Sequence, residues 1–179
     1  RTETAVFLDA TDTHVPQAPT LHALDAAFVD VDRDGDLDVV AVVEGDVNRL
    51  YLNDGKGRLT WRAKVFGEVG HDTEHVLSAD FNRDGFADVM FIAEDDQVHQ
   101  LFFGDGKGSF TDASERLLAR SEGNGFAVGD VNGDDLPDIV LGNSGKRGQN
   151  FLWLNEASDP GRFIDATGTH LPAMNDGTQ

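Results

Sequence analysis

The chain has 179 residues, enough for a single domain with a substantial core. Its 33 Asp and Glu stand against 14 Lys and Arg, a formal net charge of -19, which disfavours nucleic acid and anionic membrane as partners and favours cations. The absence of cysteine excludes a disulfide framework and thiolate zinc sites, and no apolar run reaches the length of a membrane-spanning helix.

An apolar fraction of 39% with 12 Phe argues for a packed chain over a disordered acidic one. The acids are also concentrated, with 12 of the 33 falling in three nine-residue windows. The sequence begins at Arg1 without a signal-peptide pattern, which is the expectation for a processed form or an excised piece.

In chain order, the first element is a short apolar segment, Phe7-Leu8-Asp9-Ala10-Thr11, read as an isolated strand of the kind that later closes each repeat. A unit of about fifty residues then begins. Its first strand (Ala26 to Asp30) leads into an acidic loop, followed by an apolar run from Leu37 to Val43 and an aromatic–aliphatic segment from Arg49 to Asn53. The turn Asn53-Asp54-Gly55-Lys56-Gly57 precedes a fourth strand from Arg58 to Arg62.

The same series recurs twice. Asp30-Val31-Asp32-Arg33-Asp34-Gly35 returns as Asp80-Phe81-Asn82-Arg83-Asp84-Gly85 and as Asp130-Val131-Asn132-Gly133-Asp134-Asp135, a step of 50 residues each time. Phe110-Thr111-Asp112-Ala113-Ser114 and Phe163-Ile164-Asp165-Ala166-Thr167 repeat the closing segment.

Short runs of Val, Ile, Phe and Leu bounded by Gly, Asp and Asn are strand-and-turn signals, and four per unit of this length define a propeller blade. Val39-Val40-Ala41-Val42-Val43 does not alternate with polar residues, so its sheet is expected to be covered on both faces. The fold expected is all-β: three four-stranded antiparallel repeats plus a partial one in a single segment, residues 1–179. The repeats are placed at about 7–58, 59–109 and 110–162, with a partial repeat at 163–179. Closed propellers have four to eight blades, so the chain is read as part of a longer propeller or as one component of an assembled ring.

Each acidic loop has the pattern D-x-[DN]-x-D-[GD]-x-x-D. Hard cations such as calcium take six to eight oxygens, and one curled loop can supply most of them. The ligands expected in the first loop are Asp30, Asp32, Asp34, the Asp36 carbonyl and Asp38. In the second they are Asp80, Asn82, Asp84, the Phe86 carbonyl and Asp88. In the third they are Asp130, Asn132, Asp134, the Leu136 carbonyl and Asp138.

Gly35 and Gly85 suit a left-handed sixth position, where the third loop carries Asp135, a residue that tolerates this conformation better than most. An EF-hand would require Glu at position twelve, but Ala41, Phe91 and Leu141 stand there inside expected strands. Three such loops in register argue for about three calcium ions, one per repeat. An Asp-rich turn without metal would leave mutually repelling carboxylates uncompensated.

These loops, with the Leu-Tyr-Leu-Asn-Asp-Gly-Lys-Gly type of segment that follows, resemble FG-GAP or VCBS repeats, similar to the calcium-binding blades of integrin α-subunits. The resemblance runs from about Phe7 to Thr167. It implies a propeller with a calcium ion in the hairpin between the first two strands of each blade, in a secreted or cell-surface protein. It departs from the pattern at Asp135, at the diverged Leu59 to Ala63 strand and at the irregular turn from Glu156 to Gly161.

The resemblance also places recognition on the loop face opposite the calcium loops. The candidate segments are Glu44 to Asn48, Val65 to His75, Glu94 to Gln97, Arg116 to Asn124 and Asn143 to Gln149. His71 and His75 have the spacing of a zinc pair on a helix, but this segment leads into a strand and is read as structural. Trp61, Trp153 and Tyr51 could stack on sugars, yet they lie in expected strands and are read as packing between blades.

No catalytic residue or organic cofactor is assigned. The preferred reading is an extracellular calcium-binding module for protein or glycan binding and cell adhesion. The alternatives are a calcium-stabilised part of a polysaccharide lyase, for which the basic pair Lys146 and Arg147 is the one local feature, and an architectural unit that self-associates.

Overall fold

The apolar runs of the three repeats form strands and the Asp/Gly clusters between them form turns. The computed structural model describes residues 7–17, 21–118, 121–144 and 148–173. Lys146, Arg147 and the end of the partial repeat lie outside the described residues, as do short stretches of two of the expected recognition segments.

The first sheet is a meander of β1 (Ala23–Val29), β2 (Asp38–Val43), β3 (Arg49–Asn53) and β4 (Leu59–Arg62). The second contains β5 (Thr73–Ala79), β6 (Asp88–Ala93), β7 (Gln100–Gly104) and β8 (Phe110–Asp112). The third contains β9 (Gly123–Gly129), β10 (Asp138–Asn143), β11 (Phe151–Asn155) and β12 (Phe163–Asp165). All neighbouring pairs are antiparallel, so the protein is all-β and built of propeller blades, with the first strands side by side, β1 by β5 and β5 by β9. The row of sheets is not closed into a ring.

Strand period fixes which residues face which sheet. Val40, Val42 and Leu50 of the first sheet pack against Val76, Val89, Phe91 and Phe102 of the second. Met90, Ile92 and Leu101 on the other face of the second sheet pack against Ile139, Leu141 and Trp153 of the third. Full burial of such a side chain contributes about 1.5–3 kcal/mol, so the two interfaces carry most of the core.

Phe66 lies in the first interface, edge-on to Phe91 at 4.9 Å and Phe102 at 5.2 Å. It comes from a segment read as a recognition loop, whose start therefore belongs to the core. Among the described residues the central sheet is the one packed between two others, and every residue of β6 is buried.

Two expectations are corrected. Phe7 to Ala10 do not form a strand; they lie exposed ahead of a one-turn helix, α1 (Thr11–His14), because no neighbouring strand offers them a hydrogen-bonding edge. Trp61 does not pack between two sheets: it is 48% exposed on the outer face of the first, with the Arg49 guanidinium 4.5 Å from its ring centre.

Candidate metal centre

The acidic loops are the turns between β1 and β2, β5 and β6, and β9 and β10, all at one end of the sheets. Their shape is set by side chains that accept backbone hydrogen bonds, as short acidic and amide residues do in turns. The Asp30 carboxylate receives the N–H groups of Arg33 at 2.7 Å and Gly35 at 3.1 Å. Asp80 receives those of Asp84 at 3.0 Å and Gly85 at 2.9 Å, and Asp130 those of Gly133 at 2.6 Å and Asp135 at 3.0 Å.

Position five repeats the device two residues on, with Asp36, Phe86 and Leu136 N–H donating to Asp34, Asp84 and Asp134 at 2.9, 2.9 and 3.0 Å. At position three, Asn82 and Asn132 also donate their amides to Asp84 at 2.9 Å and Asp134 at 3.0 Å. The position-seven residues differ in burial: Leu136 is buried, Asp36 and Phe86 are partly covered, and the Phe86 ring lies 5.4 Å from the Arg33 guanidinium.

Position nine is the anchor. Asp38 and Asp88 are 0% exposed and Asp138 is 1% exposed. Each carboxylate bridges its own loop to the third strand: Asp38 accepts from Val31 and Asn53, Asp88 from Phe81, Asn82 and Gly104, and Asp138 from Val131 and Asn155, at 2.8–3.2 Å. Sequence spacing led to these residues being expected as ligands and gave no sign of the bridging that the structure shows, which depends on a strand about fifteen residues away. Burial raises the Asp88 carboxyl to about 7 against the pull of its three N–H donors, and burial raises Asp38 as well. The fully exposed Asp130 is lowered by the hydrogen bonds from Asp135 and Gly133.

The left-handed positions are more numerous than the glycines suggested. Position six has φ of 93° at Gly35, 85° at Gly85 and 64° at Asp135. Position four is also left-handed, with φ of 63° at Arg33, 60° at Arg83 and 84° at Gly133. Each loop thus places one glycine at one of its two left-handed sites. The third loop exchanges the order, and Gly133 was the sequence signal for it.

In the first loop Asp30, Asp32 and Asp38 each bring a carboxylate oxygen within 4.8 Å of the other two. At that separation each pair of charges repels by about 3 kcal/mol at an effective dielectric of 20. Among the described residues, the ion pairs formed by Lys, Arg and His do not involve these carboxylates. A donor set of converging, fixed, anionic oxygens fits a hard divalent cation.

At the opposite end of the sheets, Glu44, Asp72 and Glu74 also converge within 4.8 Å. Gly45 N–H donates to the His71 carbonyl at 3.0 Å, and Asp95 N–H to the Asp72 carboxylate at 2.8 Å, joining segments that sequence analysis had named separately. Burial, then Glu94, Asp72 and Glu44, raise the Glu74 carboxyl. His71 and His75 turn to different carboxylates, Asp96 at 2.8 Å and Asp25 at 3.6 Å, and form no joint metal site.

Repeated four-stranded sheets with an acidic loop in the first hairpin define a class, and comparison with known proteins agrees. FG-GAP-like repeats match residues 30–91 and 84–141, most of the chain, and the chain belongs to this family. It is also similar to human Cartilage acidic protein 1, with 27% identity over 171 residues, 83% of this chain and 26% of that protein. The chain therefore spans about a quarter of that relative's length.

Proposed function

We propose that the protein is a calcium-stabilised extracellular recognition module. Its three acidic loops each hold one calcium ion, and its opposite loop edge receives a protein or glycan. The observation that carries this reading is the convergence of Asp30, Asp32 and Asp38 within 4.8 Å in a loop whose backbone is already curled by its own carboxylates. Asp34 and the Asp36 carbonyl complete the first donor set, and the corresponding residues of the second and third loops do the same there.

Calcium removes the repulsion within each loop and braces the hairpin against the third strand through Asp38, Asp88 and Asp138. Millimolar calcium outside cells keeps loops of moderate affinity filled. No helix among the described residues is long and apolar enough to cross a membrane.

The test is differential scanning fluorimetry with and without chelator. Calcium is expected to raise Tm and Asp32→Ala to reduce the rise; an unchanged Tm would remove the reading. Recognition at the other edge is tested on arrays of matrix proteins and glycans, where Glu44→Lys and Glu74→Lys should abolish a calcium-dependent signal that the wild type gives. Wild-type signals that survive both substitutions would place recognition elsewhere.

A further inference from the structure

The anchor carboxylates of the three acidic loops are tied to one another, and the ties lie outside the loops themselves. Asp38, Asp88 and Asp138 each accept an N–H from the second residue of their own loop, Val31, Phe81 and Val131. Each also accepts an N–H from the end of the third strand of its own sheet, at Asn53, Gly104 and Asn155. The anchor therefore holds the start of the turn that joins the third and fourth strands.

Two of these turns dock on the acidic loop of the sheet before them. In the turn between β11 and β12, the Asn155 side-chain amide donates to the Phe81 carbonyl of the second loop at 2.8 Å, and Gly161 lies against Asn82 and the Phe103 ring. In the turn between β7 and β8, the Gly108 N–H donates to the Val31 carbonyl of the first loop at 3.2 Å. Gly108 lies against Asp32 there, and Gly106 against Arg33 and the Phe86 ring. The two glycines that face position three, Gly108 and Gly161, have left-handed φ of 75° and 86°. A Cβ at Gly161 would stand 3.3 Å from that of Asn82 and 2.5 Å from the Phe103 ring, so the close approach needs the glycine.

The docking turns are stiff. The Asp105 carboxylate accepts the N–H groups of Lys107 at 2.8 Å and Ser109 at 3.0 Å, and Asn155 Oδ1 accepts that of Gly161 at 2.8 Å. Arg116, just beyond β8, holds Asp159 of the later turn at 2.9 Å. Beneath the two turns Val31 and Phe81 are 2% and 0% exposed, whereas Val131, at the same place in the third loop, is 56% exposed.

The second residue of each docked loop thus bonds in both directions. Phe81 donates its N–H to Asp88 at 2.8 Å and accepts the Asn155 amide on its carbonyl; Val31 donates to Asp38 at 3.0 Å and accepts from Gly108. A chain of hydrogen bonds runs from anchor to anchor: Asp138 to Asn155, Asn155 to Phe81, Phe81 to Asp88, Asp88 to Gly104, then through the turn from Gly108 to Val31, and Val31 to Asp38. Asn155 is 2% exposed, so its amide cannot leave Phe81 without a cost, and loop and turn move together.

We propose that Asn155 and Gly108 are positioning residues for the calcium sites of the neighbouring sheets, and that through them the three sites are coupled in a row. Filling the third loop engages Asp138, which fixes the strand end carrying the Asn155 turn. The second loop then meets a partner already in place, and less ordering is left to its own ion. Filling the second loop acts on the first in the same way through Asp88 and Gly108, and by linkage each effect is mutual. The coupling rests on the reading of the loops as calcium sites and makes the three sites one system.

Nuclear magnetic resonance reads the loops one by one, because the N–H groups at position six, Gly35, Gly85 and Asp135, donate to Asp30, Asp80 and Asp130 at 3.1, 2.9 and 3.0 Å. Chelator-stripped protein is titrated with calcium chloride while these signals are followed. Asp134→Ala, which removes a ligand from the third loop alone, is expected to move the Gly85 midpoint to about fivefold higher calcium. Asn155→Gly installs the residue that the second sheet carries at this place, Gly104. It is expected to raise the Gly85 midpoint by a similar factor and to abolish the further effect of Asp134→Ala, whereas a merely structural role would leave the two effects to multiply.

At the other interface Asp84→Ala is expected to raise the Gly35 midpoint, which decides the matter should the Asn155 variant fail to fold. Three calcium sites whose midpoints ignore substitutions in the neighbouring loops overturn the coupling and leave the calcium reading in place. A Gly85 shift on Asp134→Ala that persists at full size in Asn155→Gly overturns the route through the amide. Signals that do not move with calcium at all remove the calcium reading and the coupling with it.

Discussion

Burial of His99 is expected to make the chain sensitive to acid, and the repeat itself supplies the variant that should remove the sensitivity. Its ring is 8% exposed, accepts the Ala93 N–H on Nδ1 at 3.1 Å and, with its proton therefore on Nε2, donates to Ser121 Oγ at 2.9 Å. Burial, against the smaller opposing effect of Asp96, pushes its pKa from 6.5 down to about 4. Between these values the unfolded chain binds a proton that the folded chain does not, so stability falls as pH drops through the window. Near pH 5 the loss is about 2 kcal/mol, from about 1.4 kcal/mol for each pKa unit.

Asn48 and Asn150 occupy the same place in the other sheets, accepting Val43 N–H at 3.0 Å and Asn143 N–H at 3.2 Å. His99→Asn should therefore keep the hairpin while losing the titration. Urea denaturation in saturating calcium, at pH 7.5 and pH 5, is expected to show the wild type losing about 2 kcal/mol more than the variant on acidification. Equal losses would refute the assignment of the acid response to His99.

Three further outcomes follow from the loops. Replacing Asp38, Asp88 or Asp138 by Ala leaves buried N–H groups without acceptors, so urea denaturation of even the calcium-free protein should show a loss of about 1–3 kcal/mol per donor; an unchanged calcium-free midpoint would make these residues ligands alone. Asp135→Gly should relieve a left-handed non-glycine residue and raise stability by up to about 1 kcal/mol, read from the same denaturation midpoint. The Asp88 carboxyl, raised to about 7, must ionise to bind metal, so affinity at the second loop should fall as pH drops below 7. Calorimetry in buffers of different ionisation enthalpy should record the proton released on calcium binding, and the signal should vanish in Asp88→Asn.

The strands, their order and the acidic loops were legible because each rests on local chemistry: apolar runs that prefer strands, Gly and Asp at turns, and a fifty-residue step that chance does not repeat. Features requiring a neighbour outside the local stretch were hidden. Phe7 to Thr11 has the composition of a strand, but a strand needs an edge to pair with, and the structure shows none beside it. Phe66 sits in a polar, Gly-rich stretch that reads as a loop, and only the Phe91 and Phe102 rings across the interface explain it. Asp38, Asp88 and Asp138 completed a ligand pattern so well that their bonds to the third strand left no separate mark. Arg33 and Arg83 gave no hint of left-handed backbone, a conformation their loops impose against residue preference.

Calcium binding by the three loops is tested most directly by isothermal titration of chelator-stripped protein with calcium chloride, repeated on variants with Asp32, Asp84 or Asp134 changed to Ala. The account predicts about three ions per chain in the wild type and about two in each variant, one loop being lost at a time. Absence of saturable calcium binding in the wild type, or a stoichiometry that none of the three substitutions alters, would contradict it.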